Sequence, residues 1–589
     1  MRFNNFFGIQ RGGEYSAVRQ SDRVYEPTTE PNRQSLSPTQ EVFNKFLGGR
    51  LSRGNSKSKW VYTTTVCGLC AIILGSIIVA VDPYQIVFKM KVIFSEGSET
   101  FLMWEKPEVD LLLKVYLFNI TNKDAFLKGT EKLKVQEVGP YVYKESMAHE
   151  NVTFNENGTI TAIPVHPLTW VPELSNGTED DILVLPNIAL LSFAQVMSTS
   201  SMLTRLGVNV LIRQTQTKPL VSMTAKEFMF GYKSTLLTLG NKLMPSWISF
   251  GKLGLIDRMY DFDGDISTTF SGTTDIHMSG LLDNYNSLNY LPQWEAPCNN
   301  VSGASDGTKF NSLISKDQDL LFFRKSLCRS MSLVRVGEEV VKGIHGYKYE
   351  FKNNSMDNGF VDPNNKCFCH KKCLPKGILD VHECYYGFPI ALSYPHFYEV
   401  DEEVQNSIEG MTPNEDLHKT FFIINEESGL PLNLSVRMQI NMAFTDLSTM
   451  ANVQRFSNMI LPMLWTDISM PGLPAGMNTK FYIYLTLGPI LQVLATYLFL
   501  VGGVAFILLS LASALLIPKI NLISSNRGNT NNGNANLRNA HNEDWAVDMS
   551  TGLASNKKRH PPSLSKKNST SKEMDLYYCS LLAVQNEEC

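Results

Sequence analysis

Two long stretches of this 589-residue chain lack charge altogether: Val61 to Val81, and Phe481 to Ile517 between the brackets Lys480 and Lys519. At about 1.5 Å rise per residue, a helix of roughly 21 residues matches a hydrocarbon core of about 30 Å. The first run shows only scattered Thr and Ser, without the polar face that a soluble core helix keeps. Both read as membrane spans, at 61–81 and 490–517. Two signatures of catalysis are also missing: there is no HExxH and no GxxxxGKS/T loop. Asp261 to Asp265 resembles a calcium loop, but its glycine stands fourth instead of sixth and no Glu closes it, so it reads as an acidic turn. The ten His are dispersed. Neither enzyme activity nor a cofactor, metal or nucleic-acid partner is expected. No internal repeat or Pro/Gly-rich linker divides the segment between the spans, which favours one continuous domain.

Two spans put both termini on one side of the membrane. Arg50, Arg53, Lys57 and Lys59 crowd the approach to the first span, whereas Asp82 and Glu96 follow it, so the tails are expected in the cytosol. The glycosylation signals at Asn119, Asn151, Asn157, Asn176, Asn300, Asn353 and Asn433 all lie between the spans, and only Asn568 falls in a tail. Some 60 mostly polar residues precede the first span, which therefore reads as an uncleaved anchor. The expected organisation is a disordered cytosolic tail (1–60), span (61–81), outward domain (82–489), span (490–517) and a second disordered tail (518–589).

Within the outward domain, Tyr84 to Phe94 reads as a helical continuation, Trp104 to Pro107 as a turn, and the run from Leu111 as a strand. Val152 to Ile163 reads as a hairpin with a type I′ turn at Asn157-Gly158. A helical region is expected at about 186–233. Pro186 suits its first turn, and Thr224 with Glu227 makes a capping box. Between Pro186 and Lys226 there is no acid, but there are Arg205, Arg213, Lys218 and Lys226. This pattern fits either a solvated surface over a buried stripe or a docking face for anionic or lipid-rich particles. Short strands and turns dominate from Gly254 to Met470. The fold class is α+β, with an antiparallel sheet or barrel.

Six cysteines fall in this domain, at 298, 328, 367, 369, 373 and 384. On an oxidising side they point to three disulfides with 15 possible pairings, against a zinc site at Cys367-x-Cys369-His370-x-x-Cys373 with His382 and Cys384. Around them runs a series of short motifs: Val138-Gly139-Pro140-Tyr141-Val142-Tyr143, Gly231-Tyr232-Lys233, Pro297-Cys298-Asn299, Cys328-Arg329-Ser330, Cys367-Phe368-Cys369, Pro395-His396-Phe397 and Pro413-Asn414-Glu415. In this order, between two spans, the chain resembles the class B scavenger receptors. That group includes lipoprotein and fatty-acid receptors, the lysosomal integral membrane protein and the insect sensory neuron membrane proteins; an insect-type or other invertebrate member is the expectation. The resemblance implies a barrel-like β core crossed by a hydrophobic tunnel and capped by a helical bundle at 186–233. It also implies the pairs Cys298–Cys367, Cys328–Cys384 and Cys369–Cys373 within the disulfide region 298–384. Phe230 stands where the family usually has Trp.

The function so implied is a receptor that binds lipid-rich or anionic ligands at its helical apex and passes hydrophobic cargo through a tunnel to the bilayer. Lipids, lipoproteins or lipid carrier proteins are the partners, and the plasma membrane the location. The alternative is an endolysosomal or phagocytic receptor for particles or a lumenal protein, favoured by Tyr578-x-x-Leu581, which resembles a sorting signal. A homo-oligomer is compatible with either.

Overall fold

The computed structural model describes residues 54–243, 251–369 and 373–528. The chain divides into two units, Met1–Leu515 and Leu516–Cys589. Among the described residues, every strand lies in the first unit.

Its central element is the strand Leu111–Ile120, a largely apolar run in which Leu113, Val115 and Leu117, at every second position, are buried. It pairs antiparallel with Ile460–Ser469 on one side and Leu133–Glu145 on the other. The sheet has 12 strands, whose main path runs Leu320–Arg324, Arg329–Val341, Ile344–Phe351, Phe421–Ile424, Pro431–Ala443, Ile460–Ser469, Leu111–Ile120, Leu133–Glu145 and Ile408–Glu409. Only the last of these pairs is parallel. Across the central register Tyr116 stacks on Trp465 at 3.9 Å. A second, four-stranded sheet joins Ala148–Phe154, Thr159–Val165, Ser267–Phe270 and Leu282–Tyr285. This is an α+β domain built on antiparallel sheets, as the short strands of the sequence suggest.

Two local expectations change. The first hairpin of the smaller sheet turns through Asn155 to Gly158, with the Gly158 N–H donating to the Asn155 carbonyl at 3.1 Å. Gly158 takes φ +79° and Asn157 stays out of the left-handed region, so the turn is not type I′, which needs positive φ at both central residues. Trp104 and Glu105 close the helix Glu99–Glu105 instead of opening a turn.

Among the described residues, the helices long and apolar enough to cross a membrane are Lys59–Val92 and Ala475–Leu515, each longer than the charge-free runs alone indicate. The first is broken at Asp82, in the left-handed region at φ 47°, and restarts with Pro83 at the head of Pro83–Val92. Asp82 caps that restart through the Gln85 N–H and accepts from Gln492 Nε2 of the second span at 2.9 Å. Deeper in, the spans meet at glycine. A Cβ on Gly68 would lie 2.9 Å from the Gly503 carbonyl oxygen, and a Cβ on Gly503 would lie 2.9 Å from that of Gly68. Thr65 and Ser510 hydroxyls then meet at 2.6 Å. Close backbone approach plus polar ties is how helices associate where lipid offers no hydrophobic drive.

Candidate functional site

The acid-free stretch forms a helical hairpin between two paired strands, Ile182–Pro186 and Leu220–Thr224. Pro186 ends the first strand instead of starting a helix. Asn187 is the cap, its side chain accepting from the Leu190 N–H. The helix Ile188–Ser198 is apolar on nearly every side and is buried accordingly, from Ile188 through Ala194. The next helix, Met202–Gln214, is capped by Ser201 and buries only Val208 and Ile212. Met202, Leu203, Leu206 and Val210 are 79%, 81%, 61% and 57% exposed. Their spacing places them along one face, and single exposed aliphatics need no explanation whereas four together do. Asn209 fixes this helix to the 445–452 loop, accepting from the Ala451 N–H at 2.7 Å and donating to the Thr449 carbonyl at 2.8 Å. The capping box of Thr224 and Glu227 is present.

The four basic residues of this region separate. Arg205 is half-buried and donates to Thr449 Oγ1 at 3.2 Å, while Arg213 and Lys218 are exposed. Lys226 is paired with Glu179 at 2.7 Å. Glu179 lies before the acid-free stretch, and the fold brings it back, so the face is less uniformly positive than its sequence. Phe230 packs edge-on against Tyr143 at 5.0 Å.

Where both spans leave the domain, two apolar cavities of about 90 and 210 Å³ share Thr100, Met103, Lys309, Leu430 and Phe481 in their walls. The larger is lined further by Val87 and Phe88, beyond the break at Asp82 in the first of these helices, and by Ile483, Leu485 and Leu491 of the second. Lys309 is 2% exposed, and its ammonium donates to the Ser279 carbonyl at 2.7 Å, the Phe310 carbonyl at 3.1 Å and Ser312 Oγ at 2.8 Å. Among the described residues no carboxylate is paired with it, and burial pushes its pKa down to about 7. At the edge of the larger cavity Glu99 accepts from Lys480 at 2.8 Å and from Lys91 at 3.5 Å, and these bonds, Lys480 first, hold its carboxyl below the usual range. Nothing in the sequence singles out Lys309, because its neighbours in space come from distant segments; the apolar face at 202–210 is a pattern that a helical wheel reveals.

The structure joins Cys298 to Cys367, Cys328 to Cys384 and Cys369 to Cys373. Cys67 and Cys70 are free and exposed. Among the acceptor asparagines, 151, 157, 176, 300 and 353 are exposed, while Asn119 and Asn433 are half-buried in strands. Asn119 Oδ1 accepts from the Val184 N–H at 2.9 Å. In the acidic turn, Asp261 pairs with Arg258 and Asp265 with Lys325. Tyr578, Leu581 and Asn568 lie outside the described residues.

Comparison with known proteins places these features in a lineage. The CD36 family model matches residues 66–514. Scavenger receptor class B member 1 of Cricetulus griseus is 32% identical over 460 residues, covering 76% of this chain and 89% of the relative. The Sus scrofa protein of the same name is 31% identical over 443 residues, 74% and 86% of the two chains. Lysosome membrane protein 2 of Homo sapiens is 30% identical over 390 residues, 64% and 78%. With its two candidate spans, its disulfides and a match that runs from one span to the other, the chain belongs to the CD36 family of membrane proteins.

Proposed function

We propose that this protein is a lipid-binding receptor of the class B scavenger type that takes hydrophobic cargo at its helical hairpin and passes it through the domain to the bilayer, with both tails in the cytosol. The observation that carries the reading is the exposed apolar face at Met202, Leu203, Leu206 and Val210. Such a face is costly to leave in water and suits a lipid-rich surface or carrier. The apolar cavities beside the spans fit the membrane end of such a route. Each cargo methylene kept out of water is worth about 0.8 kcal/mol, so a lined passage lowers the barrier to transfer without any bond chemistry. The cargo's concentration gradient supplies the drive.

Uptake of a fluorescent neutral lipid into cells making the protein tests this. A Leu203→Asp/Leu206→Asp form that reaches the surface should lose roughly ten-fold in uptake, the effect of about 1.4 kcal/mol at the docking face. Undiminished uptake would remove the hairpin from the pathway. The likeness to lysosome membrane protein 2 favours a second reading, an endolysosomal receptor routed by Tyr578-x-x-Leu581. A Tyr578→Ala form shifted from endosomes to the cell surface would support it.

A further inference from the structure

We propose that the ring of Tyr290 is the seat of an N-linked glycan on Asn300, with the first N-acetylglucosamine lying flat on the phenol face. The inference rests on the outward orientation of the domain given above and on no part of the cargo route.

Backbone register puts the two residues together. Asn300 opens the sequon Asn300-Val301-Ser302, and it faces Tyr290 in an isolated antiparallel bridge. The bonds that flank this bridge run from the Leu291 N–H to the Asn299 carbonyl at 2.7 Å and from the Val301 N–H to the Asn289 carbonyl at 3.4 Å. Tyr290 and Asn300 are therefore a non-hydrogen-bonded pair, the kind in which opposite Cα atoms stand about 4.5 Å apart and the two side chains rise close together from one face. Their neighbours Leu291 and Val301 are buried on the other face, whereas Asn300 is exposed and Tyr290 is 45% exposed.

The asparagine is also held in place. Ser330 Oγ donates to its carbonyl at 2.8 Å, and the Cys298–Cys367 disulfide anchors the same segment two residues earlier. Its Nδ2 donates to the Ser302 carbonyl at 3.1 Å. A glycosylated amide keeps one N–H, so this tie is compatible with the modification and turns the bond to the sugar away from the chain.

The chemistry of the two rings matches. A pyranose chair presents axial C–H groups on its faces, weakly positive, and an aromatic face is negative. A lone exposed tyrosine needs no occupant. Register opposite a sequon supplies one, with the reach and the apolar face that the phenol ring fits, while the tyrosine hydroxyl stays in water.

The test uses the full-length protein made in glycosylating cells and kept folded in detergent. Glycopeptide mass spectrometry follows removal of each glycan by a peptide N-glycosidase, with the exposed Asn176 as internal reference. Release at Asn300 should be roughly five-fold faster in Tyr290→Ser than in the unchanged protein, the weight of one aromatic contact. Tyr290→Phe should keep the slow rate, and Asn176 should release alike in all three. Reciprocally, Asn300→Gln should raise iodination of Tyr290 several-fold. Thermal melting identifies any form that fails to fold, and the iodination arm then stands without the Tyr290 variants. Equal release at Asn300 with and without the ring, or unchanged iodination of Tyr290, would overturn the proposal. Sugar on Asn176 but none on Asn300 would overturn it alone, leaving the orientation intact; sugar on neither would overturn both.

Discussion

A pair of histidines is buried in the main sheet domain. His396 and His418 are both buried and stack at 4.7 Å. Each Nδ1 accepts a backbone N–H, from Thr412 at 3.2 Å and from Asn414 at 3.0 Å. An Nδ1 that accepts carries no proton, so His396 is protonated at Nε2, where it donates to Glu137 Oε2 at 2.6 Å; Trp465 Nε1 donates to the same oxygen. Burial, followed by the neighbouring His396, lowers the His418 pKa to about 4 from the ordinary 6.5. The unfolded chain then binds the proton first, so this contribution to stability is complete above about pH 6.5 and is lost as pH falls toward 4. The melting temperature of the full chain should fall across that window, and His418→Phe should flatten the fall. A second cluster answers to charge instead of pH. Glu145 is fully buried and meets Arg324 at 2.9 Å, His166 at 2.7 Å and the Tyr260 hydroxyl at 2.8 Å. Burial alone would raise its pKa, but Arg324 and His166 outweigh it and hold the carboxyl well below its usual value. Arg324→Met strands that carboxylate and should cost about 3–5 kcal/mol, read as a drop in melting temperature; Arg324→Met/Glu145→Gln should recover much of it.

At the scale of elements, the spans work as a pair. Gly68 and Gly503 stand where any side chain would collide with the opposing backbone. Gly503→Leu should push the helices apart at their crossing. It should weaken the Thr65–Ser510 contact on one side of the crossing and the Asp82–Gln492 contact on the other. A cysteine cross-link between positions 65 and 510 should form readily in the otherwise unchanged protein and several-fold more slowly in that variant, since small residues carry most of such an interface. Equal rates would mean that the glycines do not set the packing. The two charge-free runs announce the existence of the spans, and Asp82 with Pro83 marks the break between Val81 and the next helix. What the runs do not announce is partnership, because a glycine in an apolar helix looks alike whether it meets a backbone or lipid; Gly502, one residue away, meets nothing within 4 Å. The same limit explains Pro186. Its ring suits a first helical turn, but pairing of Ile182–Pro186 with Leu220–Thr224, over 30 residues away, claims it for a strand.

For the whole molecule, the sequence carried the layout further than the site. Spans, an antiparallel α+β domain and membership of a receptor family all leave local traces: charge-free runs, alternating strands, short motifs in order. The membrane-side cavities leave none. Their walls come from residues near 90, 103, 309, 430 and 485, each unremarkable in its own stretch. Lys226 makes the same point about charge, since its partner Glu179 stands 47 positions earlier.

The central strand has one more consequence, for how the protein is made. Tyr116 pairs with Trp465, 349 positions later in the chain. At about 5–20 residues per second, a ribosome needs roughly 17–70 s to supply that partner. Throughout that interval Leu111–Ile120 has Leu133–Glu145 on one flank and an open edge on the other. An unpaired strand edge of this kind invites foreign strands. Biogenesis of the domain is therefore paced by its last long strand, and a nascent chain arrested before residue 460 exposes the middle of its main sheet.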